Sequence, residues 1–200
     1  WYKFDEDNFT TNNGNLGSAY DITQNSALAD TSYRIKGDGA ANLNGSYMII
    51  QSDLDFTSKT VISISFWMKI TQLNSQWDVV LYKYMSASNA IILQRNGTTN
   101  YWNIYFGAAN VTTNGFLNDF TLDDTTWRHY CFTFVKTDTG VTVKIYKNGA
   151  ATPVFNQNVS NTWPTIAIGK VTIGDVSYPL RHYIDDLRIY DRELIAEELD

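Results

Sequence analysis

The chain has 200 residues, 44% of them hydrophobic and 18% charged, with a formal net charge of −6. That is enough apolar material to fill the core of one domain, and too much for a disordered tail. The negative balance leaves no surplus of Lys and Arg to neutralise phosphates, which excludes a nucleic-acid partner, and no apolar run approaches the roughly 20 residues that span a bilayer, so no membrane insertion is expected.

In chain order, Trp1 to Phe4 reads as a short strand, followed by the acidic run Asp5-Glu6-Asp7. Thr10 to Ser18 is rich in Asn and Gly and reads as loop. Ala19 to Thr23 and Ser32 to Lys36 read as short strands, and Gly39 to Ile50 as two strands around a turn at Asn44-Gly45. Lys59 to Ile70 is the longest alternating run: Ile62, Ile64, Phe66, Met68 and Ile70 share one face, and Ser63, Ser65, Trp67 and Lys69 the other. Trp77 to Lys83, Asn89 to Arg95 and Tyr101 to Gly107 have the spacing of an antiparallel meander, with Asn96-Gly97 as a turn. Ala108 to Thr126 reads as a polar loop.

Trp127 to Gly149 is the best-defined stretch. Two runs rich in β-branched and aromatic residues flank Thr-Asp-Thr-Gly, a hairpin signal, and Asn148-Gly149 closes the second run. Both faces of the first run carry apolar bulk, which predicts a central strand covered on both sides. Thr152 to Phe155, Thr165 to Gly169, Val171 to Gly174 and His182 to Tyr190 follow as strands, and Arg192 to Leu199 reads as a short acidic helical turn. Many strands and almost no helix predict an all-β fold, a two-sheet antiparallel sandwich of the jelly-roll type. Residues 1–200 read as a single domain, and a chain that begins at Trp is expected to be a piece of a longer protein. Cys131, the only cysteine, can form no disulfide within the domain and is expected to be a buried thiol. Acceptor triplets for N-glycosylation begin at Asn8, Asn44, Asn96, Asn110 and Asn158, which permits secretion without establishing it.

Several stretches together resemble the concanavalin A-like lectin/glucanase superfamily and, within it, the laminin G-like jelly rolls. They are Gly39 to Tyr47, Ile64 to Met68, Trp127 to Tyr130 with Ile145 to Gly149, Ala167 to Gly169, and Tyr183-Ile-Asp-Asp-Leu-Arg-Ile-Tyr-Asp-Arg-Glu-Leu194 followed by Glu197-Glu198. The resemblance implies two curved sheets packed face to face, with the first and last strands as neighbours. It also implies one structural calcium, held by Asp186, by a carbonyl or carboxylate at Asp5, and by the carbonyl of Gly45. Calcium takes such oxygen ligands. The competing expectation pairs Asp186 with Arg188. Alternation along the strand sends Asp185 and Asp186 to opposite faces.

The glucanase branch cleaves glycosides with two close carboxylates on one strand, in a Glu-x-Asp-x-x-Glu pattern. The pattern is absent: Glu occurs only at 6, 193, 197 and 198. Asp78 stands alone on an interior strand and is expected to face solvent. His129 and His182 lack a nucleophile elbow between them. No catalytic residue is therefore assigned.

Aromatic recognition of sugar is the remaining chemistry. With Ile104 and Phe106 inward, Tyr101, Asn103 and Tyr105 face out together, and Arg95 and Arg128 are placed beside them. Trp77, Trp163 and Tyr178 form a rival site at the rim, where loops carry function. The expected function is a non-catalytic module that binds carbohydrate or a surface protein, outside the cell or on a particle such as a virion. The alternative is a structural domain of a virion or surface layer, and an enzyme of the same fold ranks third.

Overall fold

The longest alternating run and the first arm of the hairpin lie side by side, with Lys69 opposite Trp127 and Val61 opposite Val135. The computed structural model in which they do so describes residues 1–4, 11, 13–14, 17–25, 28–32, 34–43, 46–71, 77–96, 101–112, 126–175, 177 and 182–199. The strands are β1 (Ile22–Asn25), β2 (Leu28–Asp30), β3 (Ala40–Asn42), β4 (Met48–Ile50), β5 (Val61–Lys69), β6 (Trp77–Ser86) and β7 (Asn89–Asn96). After them come β8 (Trp102–Phe106), β9 (Ala109–Thr112), β10 (Trp127–Thr137), β11 (Gly140–Lys147), β12 (Phe155–Val159), β13 (Thr172–Ile173) and β14 (Tyr183–Tyr190). They form two seven-stranded sheets. The meander sheet is ordered β1-β4-β13-β6-β7-β8-β9, and the hairpin sheet β12-β11-β10-β5-β14-β3-β2. The pairings are antiparallel, which makes the fold an all-β jelly-roll sandwich.

Period-two alternation decides what enters the space between the sheets. Ile62, Ile64, Phe66 and Met68 of β5, Tyr130, Phe132 and Phe134 of β10, and Ile91 and Leu93 of β7 are buried there. Trp102 meets Phe132 edge-on at 4.9 Å, and Phe106 stacks on Phe134 at 4.1 Å. The outer side of β10 is also covered. Cys131 packs with Tyr146, Leu194 and Leu199, so the C-terminal segment folds back over this strand. Lys144 and Tyr146 hold the segment through Glu193, at 2.7 and 2.9 Å. Burial pushes the Cys131 thiol up to about 12.

The two ends of the chain meet as expected, but through one bridge rather than a strand: Tyr2 donates its N–H to Leu187 at 2.7 Å. Other elements differ from the sequence reading. Ala19 to Thr23 divides into a 3-10 turn, Gly17–Tyr20, and the start of β1. Ser32 to Lys36 is not a strand, because the Ile35 and Lys36 amides bond to the Asp185 carboxylate instead of a ladder partner. The polar stretch after Gly107 contains β9, and β12 begins where the predicted strand at Thr152 to Phe155 ends. Thr165 to Gly169 keeps one bridge, Ile168 to Leu54, while Asn89 accepts the Thr165 and Ile166 amides. The C-terminal helix shortens to a 3-10 turn, Ala196–Glu198. The predicted turn at Asn44-Gly45 lies outside the described residues.

Candidate functional site

The outer face of the meander sheet carries the phenol and amide groups that the sequence placed together. Ile104 and Phe106 point inward, and Trp102 joins them, so Asn103 and Tyr105 take the outer side, with Tyr101 just before the strand; there Asn103 is buried and the two tyrosines half-buried. Asn103 lies opposite Gln94, and Tyr105 opposite Ile92. Asn103 donates its amide to the Tyr105 hydroxyl and Asn96 to the Tyr101 hydroxyl, each at 3.3 Å. Trp77 stands edge-on to Tyr101, with ring centroids 6.3 Å apart and planes at 72°. Trp77 therefore belongs to this face, and the face and rim readings merge at that residue. Gln94 and Asn96 were missed by sequence reasoning. They share outward parity on β7, opposite in phase to Ile91 and Leu93, and that phase was the available signal.

Arg95 and Arg128 do not flank this patch. Arg95 has the parity of Ile91 and Leu93, and its side chain is 0% exposed between the sheets. Arg128 is on the other sheet, opposite Met68. Asp78, expected at the surface, is also 0% exposed and forms an ion pair with Arg95. His182, just before β14, completes the cluster. Thr71 donates its N–H to His182 Nδ1 at 3.3 Å, and His182 Nε2 lies 3.2 Å from both Asp78 Oδ2 and Arg95 Nη1. The cluster ties β6 and β7 to the start of β14 across the sandwich. Burial lowers the Arg95 pKa, and the neighbouring Asp78 charge opposes that shift.

A β-bulge in β14 overrides the expected alternation of Asp185 and Asp186. Asp185 lies opposite Trp67 and Arg188 opposite Ser65, so two residues face one between them. Asp186 takes φ +51°, a left-handed conformation that Asp tolerates better than most residues. Its Oδ1 accepts from Trp1 Nε1 at 2.5 Å and Arg188 Nε at 2.9 Å, and its Oδ2 pairs with Arg188 at 2.8 Å. Both oxygens are thus committed. Asp185 is 0% exposed; its Oδ2 accepts the Ile35 and Lys36 amides at 2.9 Å each, while Oδ1 is buried with no hydrogen-bond partner. Burial is the main cause that raises the Asp185 pKa to about 6. Among the described residues no three His, Cys, Asp or Glu side chains gather as a metal cluster, and Asp5 and Gly45 lie outside those residues.

The other rim residues separate. Trp163 is buried, donates its indole N–H to the Phe56 carbonyl at 2.8 Å and meets Phe106 edge-on at 5.0 Å, so it is a core residue. Tyr178 lies outside the described residues. A cleft of about 620 Å³ between the N-terminal segment and the end of β14 brings Asp55 and Asp191 to one opening. Both are held in the carboxylate form. Thr57 hydrogen bonds lower the Asp55 pKa, and the bond from Lys59 lowers that of Asp191. A glycosidase acid requires the opposite shift.

A lectin-type β-sandwich with a polar aromatic strip on one outer face is the class that fold and surface define. The chain belongs to the concanavalin A-like lectin/glucanases superfamily: a laminin G family model of that description matches residues 42–200. Comparison with curated proteins gives no match. Among solved structures it is similar to the receptor-binding domain of botulinum neurotoxin mosaic serotype C/D, at 15% identity and TM-score 0.65, over 94% of this chain and 48% of that one. It is also similar to Trypanosoma rangeli sialidase, at 14% identity and TM-score 0.59, over 91% of this chain and 28% of that one. A third structure, from botulinum neurotoxin type C, whose cell entry is dependent upon interaction with two ganglioside molecules, matches at 14% identity and TM-score 0.56, over 90% of this chain and 46% of that one. The chain thus spans about half the length of the toxin domains, and at these identities the likeness is one of fold.

Proposed function

We propose that the domain is a non-catalytic recognition module that binds carbohydrate outside the cell, on a cell or particle surface. The carrying observation is the strip of Trp77, Tyr101, Asn103 and Tyr105. Two aromatic rings stand edge to face there, and amides bonded to the phenol hydroxyls hold the tyrosines in place. Rings offer an apolar body with a polar handle, and amides both donate and accept, which is the chemistry a sugar face and its hydroxyls require. The ganglioside interaction of the toxin of similar fold supports the same direction. A binding role is favoured over hydrolysis by the state of the acids: Asp78 is sealed in the core, and Asp55 and Asp191 are held ionised.

The test is a glycan array followed by titration of the best hit. Truncating a central aromatic anchor costs about 2 kcal/mol at a typical hot spot, so Trp77→Ala and Tyr101→Ala are each expected to weaken binding by roughly 30-fold. A blank array together with stable self-assembly would favour a structural role instead. Calcium enters this reading in one testable form. With Asp186 held by Arg188, an ion at the last strand must use the Asp185 oxygen or displace the guanidinium. A native-state ligand raises the melting temperature, so equal Tm in calcium and in chelator removes calcium from the reading.

A further inference from the structure

No charged residue occurs from Asn96 to Asn118 or from Asn148 to Gly169, in a chain that is 18% charged. Those two runs carry β9 and β12, each the terminal strand of its sheet. The two strands approach each other on one flank of the sandwich. A chain of net charge −6 thus builds both edge strands of that flank from uncharged residues.

β12 is the edge best suited to pairing. Its ladder with β11 runs without a bulge from Phe155 to Val159, and β11 is its one strand partner among the described residues. A strand paired on one side presents a row of N–H and C=O groups on the other, and proteins blunt such edges with charge, brevity or bulges. β1 is bulged between Ile22 and Gln24, β2 has three residues and ends in Asp30, and β9 has four. β12 has five, and neither a bulge nor a charge protects it. Asn156, Gln157 and Asn158 are all exposed. The sequence Phe-Asn-Gln-Asn-Val also reads nearly alike in both directions. Laid antiparallel on a second copy about Gln157, it sets Asn156 opposite Asn158, Phe155 opposite Val159, and Gln157 opposite itself. Opposed residues share one side of a sheet, and amides both donate and accept, so the opposed pairs are self-complementary. Two copies that each carry −6 repel least where neither presents a charge.

We propose that β12 is a homodimer edge: a second copy adds its own β12 antiparallel, about a twofold axis at Gln157, and joins the two hairpin sheets into one. Such a contact is isologous, the same patch on both copies. Five residues span roughly 17 Å, so the contact belongs to the small, weak class of interfaces and forms with rising concentration. The pairing does not depend on what the outer face of the meander sheet binds.

The test is sedimentation velocity of the protein from micromolar to near-millimolar concentration, with thermal melts to show that each variant is folded. A reversible monomer–dimer equilibrium is expected. Asn156→Lys combined with Asn158→Lys sets lysine opposite lysine twice across the axis, and should weaken the dimer by about tenfold or more. Asn156→Lys combined with Asn158→Asp sets lysine opposite aspartate at the same positions, and should dimerise at least as well as the wild type. Gln157→Cys meets its own counterpart, so it should form an inter-chain disulfide on mild oxidation much faster than Gln51→Cys. Gln51 is exposed beside β1, at the other end of the meander sheet, and Cys131 is buried and does not compete. If a charge variant does not fold, the two cysteine variants decide. A monomer at every concentration overturns the proposal. So does a dimer that responds alike to both charge variants, or one in which Gln157→Cys crosslinks no faster than Gln51→Cys.

Discussion

Asp78→Asn removes one charge from a pair in which both side chains are 0% exposed, and takes from the Arg95 cation in the core the carboxylate it pairs with. Breaking a buried pair by removing one partner costs about 3–5 kcal/mol, because the remaining charge is stranded. In a chain of this size each kcal/mol moves Tm by about 2–4 °C. The expected fall is therefore of order 10 °C, measured by calorimetry or thermal circular dichroism, with the slope of urea unfolding unchanged. The companion variant Asp78→Leu with Arg95→Met takes away both charges, and replacing a buried pair by apolar groups is neutral or favourable by about 1–4 kcal/mol. The double variant should thus melt close to wild type and well above Asp78→Asn. A single variant that melts within 2 °C of wild type, against the ~6 °C or more implied by these magnitudes, would mean that water reaches the pair and would refute the sealed geometry.

Two further predictions concern the backbone and pH. Asp185 has its pKa raised to about 6 from an ordinary 3.8, so its stabilising contribution is full below the unfolded value and is lost as pH rises through about 6. In chelator, Asp185→Asn should therefore stabilise the fold at pH 7.5 relative to wild type, by up to about 3 kcal/mol less the cost of the new amide N–H, and that gain should be lost near pH 4; a Tm difference that stays constant across that range would contradict it. Gly107→Ala puts a side chain at φ +61° and 2.6 Å from the Thr162 oxygen, so about 1–2 kcal/mol of backbone strain adds to a clash, and a Tm fall below ~2 °C would show that the loop yields.

Much of this fold was legible because alternation survives where both neighbours of a strand are regular. Ile62 to Met68 and the β10–β11 hairpin lie as their side-chain phase predicts. The same rule, applied without regard to charge, places Arg95 inward with Ile91 and Leu93. The surface reading failed because a guanidinium in a core is costly unless paired, and its partner Asp78 is 17 residues away on the adjacent strand. Ser32 to Lys36 failed for another reason. Its residues suit a strand, but a carboxylate about 150 residues later captures two of its amides, and no local pattern encodes that.

The aspartate pair shows where local rules end and why it matters for the site. One left-handed residue at Asp186 advances the strand by an extra position, so Leu187 points into the core and Arg188 returns to clamp the carboxylate before it. A strand without the bulge would put Arg188 and Ile189 out of phase with the Ser65 and Ile64 positions they now face. The bulge thus satisfies Asp186 internally and leaves the neighbouring Asp185 oxygen as the uncommitted one. With Asp78 neutralised by Arg95 and Asp186 by Arg188, the acids nearest the core are spent on holding the sandwich together. The strip on the outer face of the meander sheet is built instead from aromatic rings and amides. Those are groups suited to uncharged, hydroxyl-rich partners.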